Sequence, residues 1–339
     1  MKKQFTILSA FLALLMVTSL ISCSGSSIDI LKSTEQDKTV VMKIDGIDVE
    51  YEIYRYISRS MLKDYNEEYG WDFEKGENGK DLVKKFNDDV ELTLKKLYST
   101  ISISKKYGIE YDNQAYIDRV DYEMSDIYRS YDNNYASYKT DISAYYMNDA
   151  VYRFIVRNDI IAVELKDKMV DSGDINTDPD FLNSVFASDE LIRVKYILIS
   201  TSNGKTMEDC KKIADTVYSK LENGEDFDSL LKEYNEDTYM AGNIDGRYIQ
   251  RGTLNEDFEE AAFALEVGEH SDIVETSVGY CIIKRLEKEQ SFIEKNIKQL
   301  TNDYTIGQYN LTLENHMNSL SVEYTDKYPE LAVFPSSDN

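Results

Sequence analysis

Two runs of β-branched and aromatic residues, Arg193 to Ser200 and Gly279 to Leu286, enclose a stretch in which apolar residues recur at helical spacing. A chain that moves from an alternating period to a helical one and back can bury both patterns only by laying helices against a small sheet. The first run ends in the turn formers Thr201-Ser202-Asn203-Gly204. Thr206 with Asp209 makes a capping signature, Cys210, Ala214, Val217 and Leu221 keep helical spacing, and Asn223-Gly224 stops the pattern. Phe227 to Tyr234 predicts a second short helix, and Asn235 to Gly246 a polar loop. A third helix starts after the N-cap Asn255, where Glu256 and Asp257 suit the positive end of the helix dipole, and runs to near Gly268. Ile273 to Thr276 and Gly279 to Leu286 close the stretch as two strands joined by a tight turn. The expectation is an α+β module over 192–288.

Taken singly, several residues of this module have two meanings. Phe258 lies on an amphipathic helix and, with Leu254, fits a core position as well as a binding pocket. Asp237 sits in an acidic loop as a solvated charge would, and Tyr196 and Cys281 fit the packed face of a sheet. Three motifs in order sharpen these meanings. Phe258-Glu259-Glu260-Ala261-Ala262-Phe263-Ala264-Leu265 with Gly268-Glu269-His270-Ser271, the step Gly224-Glu225-Asp226-Phe227-Asp228-Ser229-Leu230, and the strand Gly279-Tyr280-Cys281-Ile282-Ile283 resemble the parvulin family of peptidyl-prolyl isomerases. The resemblance covers about a hundred residues, an ordinary small-domain length.

That resemblance implies a rotamase site. By it, Asp237 stands beside the isomerised bond, Leu254 and Phe258 line the proline pocket, and Thr276 hydrogen-bonds a pair of histidines. The positions of those histidines hold Tyr196 and Cys281 here, and the family's Gly-Gly-Asp-Leu-Gly turn becomes Gly242-Asn243-Ile244-Asp245-Gly246. Weak isomerase activity follows from the resemblance, with Tyr196, Cys281 and Thr276 forming a looser network and no cofactor.

The segment 1–22 has a basic start, Lys2 and Lys3, and then an apolar core from Phe11 to Val17, which together read as a signal peptide. It ends Leu20-Ile21-Ser22-Cys23, which resembles the bacterial lipobox, so Cys23 is expected to carry a lipid and to begin the mature chain. Segment 23–38 is then a polar tether reaching about 50 Å when extended. The net charge of −25 argues against a nucleic-acid partner and against an anionic lipid surface except through the anchor. His270 and His316 have no Cys or His neighbour at ligand spacing, so no metal site is expected. Cys210 and Cys281 are expected to be buried free thiols.

Between tether and module, 39–175 is expected to form a helical domain. Asp45-Gly46 marks a hairpin, Val83, Phe86, Val90, Leu94, Leu97 and Ile101 step by three and four up to a stop at Gly108, and 112–130 and 149–170 repeat the pattern. A tract containing Tyr116, Tyr122, Tyr128, Tyr131, Tyr135, Tyr138, Tyr145 and Tyr146 reads either as a surface for unfolded chain or as the Tyr-rich composition of the whole sequence. A linker is expected over 176–191, with Pro179 in the first turn of a short helix. For 289–339 the stripe Ile293, Ile297, Leu300, Tyr304 and Leu311 predicts a helix, followed by a strand from Ser321 to Tyr324, both packing on the N-terminal domain.

This layout resembles the SurA/PrsA-like foldases, in PrsA's case lipoproteins that assist exported polypeptides at the outer face of the cell membrane. A non-catalytic holdase with a degenerate parvulin module is the alternative. A solute-binding lipoprotein would share the anchor, but it would need repeated βαβ units, and the long helices before Val170 oppose it.

Overall fold

The structure is a computed structural model and describes residues 33–334; the signal-like segment and Cys23 lie outside the described residues. In chain order come the hairpin β1 (Val40–Ile44) and β2 (Ile47–Glu50) and the helices α1 (Tyr51–Tyr69), α2 (Gly79–Ser104), α3 (Gln114–Ser130), α4 (Tyr135–Ser143) and α5 (Asp149–Asp171). Then follow α6 (Pro179–Ala187), β3 (Leu191–Ser200), α7 (Met207–Glu222), α8 (Phe227–Tyr234), α9 (Thr238–Gly242), β4 (Arg247–Gln250), α10 (Glu256–Ala264), β5 (Val274–Thr276) and β6 (Gly279–Leu286). The chain closes with α11 (Gln290–Ser319), β7 (Val322–Tyr324) and α12 (Tyr328–Leu331). The fold is α+β. Its described residues form two units, 33–169 with 312–334, and 170–311.

In the first unit Asp45 and Gly46 both have positive φ, 51° and 72°, the backbone that a two-residue Asp-Gly hairpin adopts. β7 pairs antiparallel with β1, Met42 opposite Tyr324, giving the sheet order β2-β1-β7. The predicted stripe of α2 is buried at Phe86, Val90, Leu94, Leu97 and Ile101, and Gly108 ends its 3-10 extension in the left-handed region. Helix α4 arises inside the tyrosine tract because Asn134 accepts from the Ser137 N–H and caps it.

In the second unit the local chemistry acts as expected at α7, where Thr206 and Asp209 form a complete capping box, and at α8, which spans the predicted residues. Helix α10 stops at Ala264, short of Gly268, because Leu265 turns extended. The expected polar loop at 235–246 instead contains α9, since Asp237 accepts from the Met240 N–H and caps one more helical turn. Strand β4 is a further addition: four residues pair with β3 at its outer edge, making the order β4-β3-β6-β5.

Two domain expectations change. The span 176–191 is no mere linker: Leu182, Val185 and Phe186 of α6 are buried with Leu191 and Tyr248. Helix α11 does not belong wholly to the N-terminal domain either, since the unit boundary falls after Leu311 and its Ile293 and Leu300 join that same cluster. The physical reason is that α6, β3 and β4 leave an apolar face at Leu191 and Tyr248 inside the second unit, and the first half of the α11 stripe covers it. Arg193 reinforces this closure. Buried, it stacks its guanidinium 3.9 Å from the Phe292 ring centroid, pairs with Glu289 and donates to the carbonyl oxygens of Glu287 and Asp245.

Candidate active site

Sheet register decides which side chains meet. Along β3, Val194 lies opposite Arg247, Tyr196 opposite Ile283 and Leu198 opposite Cys281, and Cys281 is in turn opposite Val274 of β5. Directly opposed residues share a face, so Arg247, Tyr196 and Cys281 project from one side of the sheet. Phe258, on α10, meets them there. Its ring stands edge-on to Tyr196, with centroids 5.2 Å apart and planes at 85°, and both residues are buried. Leu254, partly buried, packs against the same core just before α10.

Leu254 is held by a residue that sequence reasoning missed. The buried carboxylate of Glu259 accepts three backbone N–H bonds, from Gly252 at 2.6 Å, Thr253 at 2.8 Å and Leu254 at 2.7 Å. It thereby fixes the loop that carries Leu254 into α10. In the sequence nothing separates it from the exposed Glu260 beside it.

Asp237 is fixed by its neighbours. The Leu198 N–H donates to Asn235 Oδ1 at 3.1 Å, the Glu236 N–H donates to the Leu198 carbonyl at 2.9 Å, and Glu236 Oε2 accepts from the Ser200 N–H at 2.7 Å. These bonds stitch the loop to β3 and leave Asp237 at the N-cap of α9 with Oδ1 on the Met240 N–H, 2.7 Å away. Its charge is felt at both neighbouring groups. Burial pushes the Tyr196 hydroxyl well above the ordinary phenol range, with Arg247 opposing and Asp237 adding. Burial likewise pushes the Cys281 thiol up to about 12, with Asp237 adding. Both groups are neutral at physiological pH.

Thr276 departs from the expected network. Its hydroxyl donates to the Gly279 carbonyl at 2.9 Å and accepts from the Val278 N–H at 3.4 Å. It staples the β5–β6 turn instead of linking Tyr196 to Cys281, because the pairing of Thr276 with Gly279 sets it at the hairpin end. Arg247 is the second residue missed. It stacks over the Tyr239 ring at 4.4 Å, and no carboxylate among the described residues forms a salt bridge with it. It was hidden because the four-residue strand that aims it carries no clear sequence pattern. Cys210 and Cys281 are both buried free thiols.

The compact sheet, the flanking helices and the apolar ring pair converge with one comparison: residues 196–287 match the family described as "Rotamase: PPIC-type PPIASE domain". By this match the module is similar to parvulin-type peptidyl-prolyl isomerases. Among individual relatives, the chain is similar to Foldase protein PrsA of Bacillus subtilis, 34% identical over 144 residues, which are 40% of this chain and 46% of that protein. Foldase protein PrsA of Geobacillus kaustophilus is 31% identical over 190 residues, 56% of this chain and 59% of its own. The chain thus spans about half the length of the curated relatives it matches. The crystal structure of PrsA from Bacillus subtilis aligns over 89% of this chain and 96% of its own, with 20% identity and a TM-score of 0.29.

Proposed function

We propose that the chain is a lipid-anchored foldase on the extracytoplasmic face of the membrane, a chaperone whose second unit isomerises X–Pro bonds in unfolded or partly folded exported polypeptides. The observation that carries this reading is the meeting of Tyr196, Cys281 and Phe258 on one sheet face, with the charge of Asp237 beside them, inside the span that matches the isomerase family. Rotating an X–Pro amide needs no nucleophile and no cofactor. The site has only to bind the twisted amide better than either planar form, against a barrier of about 20 kcal/mol. In this mechanism Leu254 and Phe258 hold the prolyl ring in apolar surroundings, and Asp237 shapes the field beside the twisting carbonyl. Tyr196 and Cys281 order the site as neutral groups, and Thr276 holds the turn that carries β6.

Catalysis is expected to be weak but measurable when the full chain is added to a proline peptide relaxing between its isomers. Asp237→Ala and Phe258→Ala should abolish it, with circular dichroism confirming that each variant is folded. Tyr196→His combined with Cys281→His should raise it about tenfold, equivalent to about 1.4 kcal/mol of barrier. An unchanged relaxation rate at every protein concentration would leave the non-catalytic holdase. That second reading has one observation in its favour: the Thr276 hydroxyl is bonded to Gly279 and not to Tyr196 or Cys281.

The anchor rests on Leu20-Ile21-Ser22-Cys23. Cys23→Ala is expected to release the protein from the membrane fraction or leave it unprocessed. A mature, membrane-bound form of that variant would remove the anchor from the proposal.

A further inference from the structure

The first unit contains a cavity of about 190 Å³ walled by Tyr128, Asn133, Asn134, Tyr135 and Tyr138. Isomerisation gives it no task. Tyr128 and Tyr138 meet edge to face, with centroids 5.0 Å apart and planes at 86°. Tyr135 stands 5.7 Å from each, at 61° and 38°. Tyr128 and Tyr135 keep exposed surface and stand at 61° to each other, and the fully buried Tyr138 backs them. The loop between α3 and α4 supplies the remaining wall, and two successive left-handed residues, Asp132 at φ 54° and Asn133 at φ 57°, turn it there.

Size and charge together select the occupant. Drug-sized ligands need roughly 300–1,000 Å³, so a cavity of this volume takes a single side chain. The hydroxyls of Tyr128 and Tyr138 both donate to Asp149 Oδ1, at 2.5 and 3.0 Å. A phenol that donates to a carboxylate has a more electron-rich ring, and a more electron-rich ring attracts a cation more strongly. Asp149 is itself charge-compensated, its Oδ2 accepting from Arg153 Nε at 2.7 Å, so it holds the rings in place without drawing the cation out of the cavity. From Asp121 to Arg153 the chain carries six acids and three bases, within a total net charge of −25, so the surroundings favour a positive ligand.

We propose that this cavity is an aromatic cage for the cationic side chain of a lysine or arginine in a bound polypeptide. It would give the first unit a recognition element of its own, independent of whether the second unit isomerises proline bonds. A neutral apolar side chain gains contact area in such a cage, whereas a cation gains the ring field as well.

The test uses the full chain and two probes, Nα-acetyl-lysine methylamide and its neutral analogue Nα-acetyl-norleucine methylamide, titrated while the tyrosine ring resonances are followed by NMR. The lysine probe is expected to bind about tenfold more tightly than the norleucine probe. Tyr135 is the wall to vary, because it is 48% exposed and its loss spares the core. Tyr135→Phe should keep the preference for lysine, and Tyr135→Leu should abolish it. Equal binding of the two probes, a lysine preference unchanged in Tyr135→Leu, or ring shifts that do not saturate at millimolar probe would each overturn the cage.

Discussion

A fragment of residues 170–289 is expected to be less stable than one of residues 170–311 by about 3–6 kcal/mol, because full burial of each large apolar side chain contributes about 1.5–3 kcal/mol. The two side chains at stake are Ile293 and Leu300, which are buried against Leu182, Val185, Phe186, Leu191 and Tyr248 in the second unit. Removal of α11 also takes Phe292 from the buried Arg193 guanidinium, which it stacks against at 3.9 Å. Such a loss is large against the 5–15 kcal/mol of a typical folded protein. Urea unfolding of the two fragments measures it. Equal midpoints and slopes would mean that the module is complete by Glu287, as its sequence pattern alone suggests.

Glu259→Ala is expected to cost about 3 kcal/mol, because it strands three backbone donors that share one buried carboxylate, and each unsatisfied donor costs about 1–3 kcal/mol less whatever water recovers. Glu259→Gln keeps one acceptor oxygen but turns an amide donor toward an N–H, so it should fall between the wild type and Glu259→Ala. The matched control is the exposed neighbour, Glu260→Ala, expected to lie within about 0.5 kcal/mol of wild type. Because Glu259 holds the loop that carries Leu254, the proposed isomerase activity should fall in the same order under conditions where every variant is folded. A Glu259→Ala protein as stable as Glu260→Ala would show that the clamp contributes nothing.

Several elements were legible because their causes lie within a few residues of each other. The Thr206–Asp209 box, the Asn255 cap and the Asp45-Gly46 turn act through bonds two to four positions apart, and each starts or turns the element its sequence predicts. The order of motifs from Gly224 to Ile283 likewise carried the parvulin resemblance without any coordinates. The resemblance therefore groups Tyr196, Phe258 and Cys281 in one site from the sequence.

The sequence by itself determined the local elements, the apolar stripes and the residue types that a proline-binding site requires. Tertiary structure alone decided which partner each stripe and each polar group took. The α11 stripe was visible in sequence, but no spacing rule says whether it covers one unit or another. Glu259 and Glu260 look alike along the chain, and only the approach of the 252–254 loop makes one of them a buried clamp. The family resemblance links Thr276 to Tyr196 and Cys281, yet its pairing with Gly279 commits its hydroxyl to the turn. The physical reason is common to all three: such contacts depend on register and packing between distant segments, and a shift of one residue along a strand would send its side chains to the opposite face.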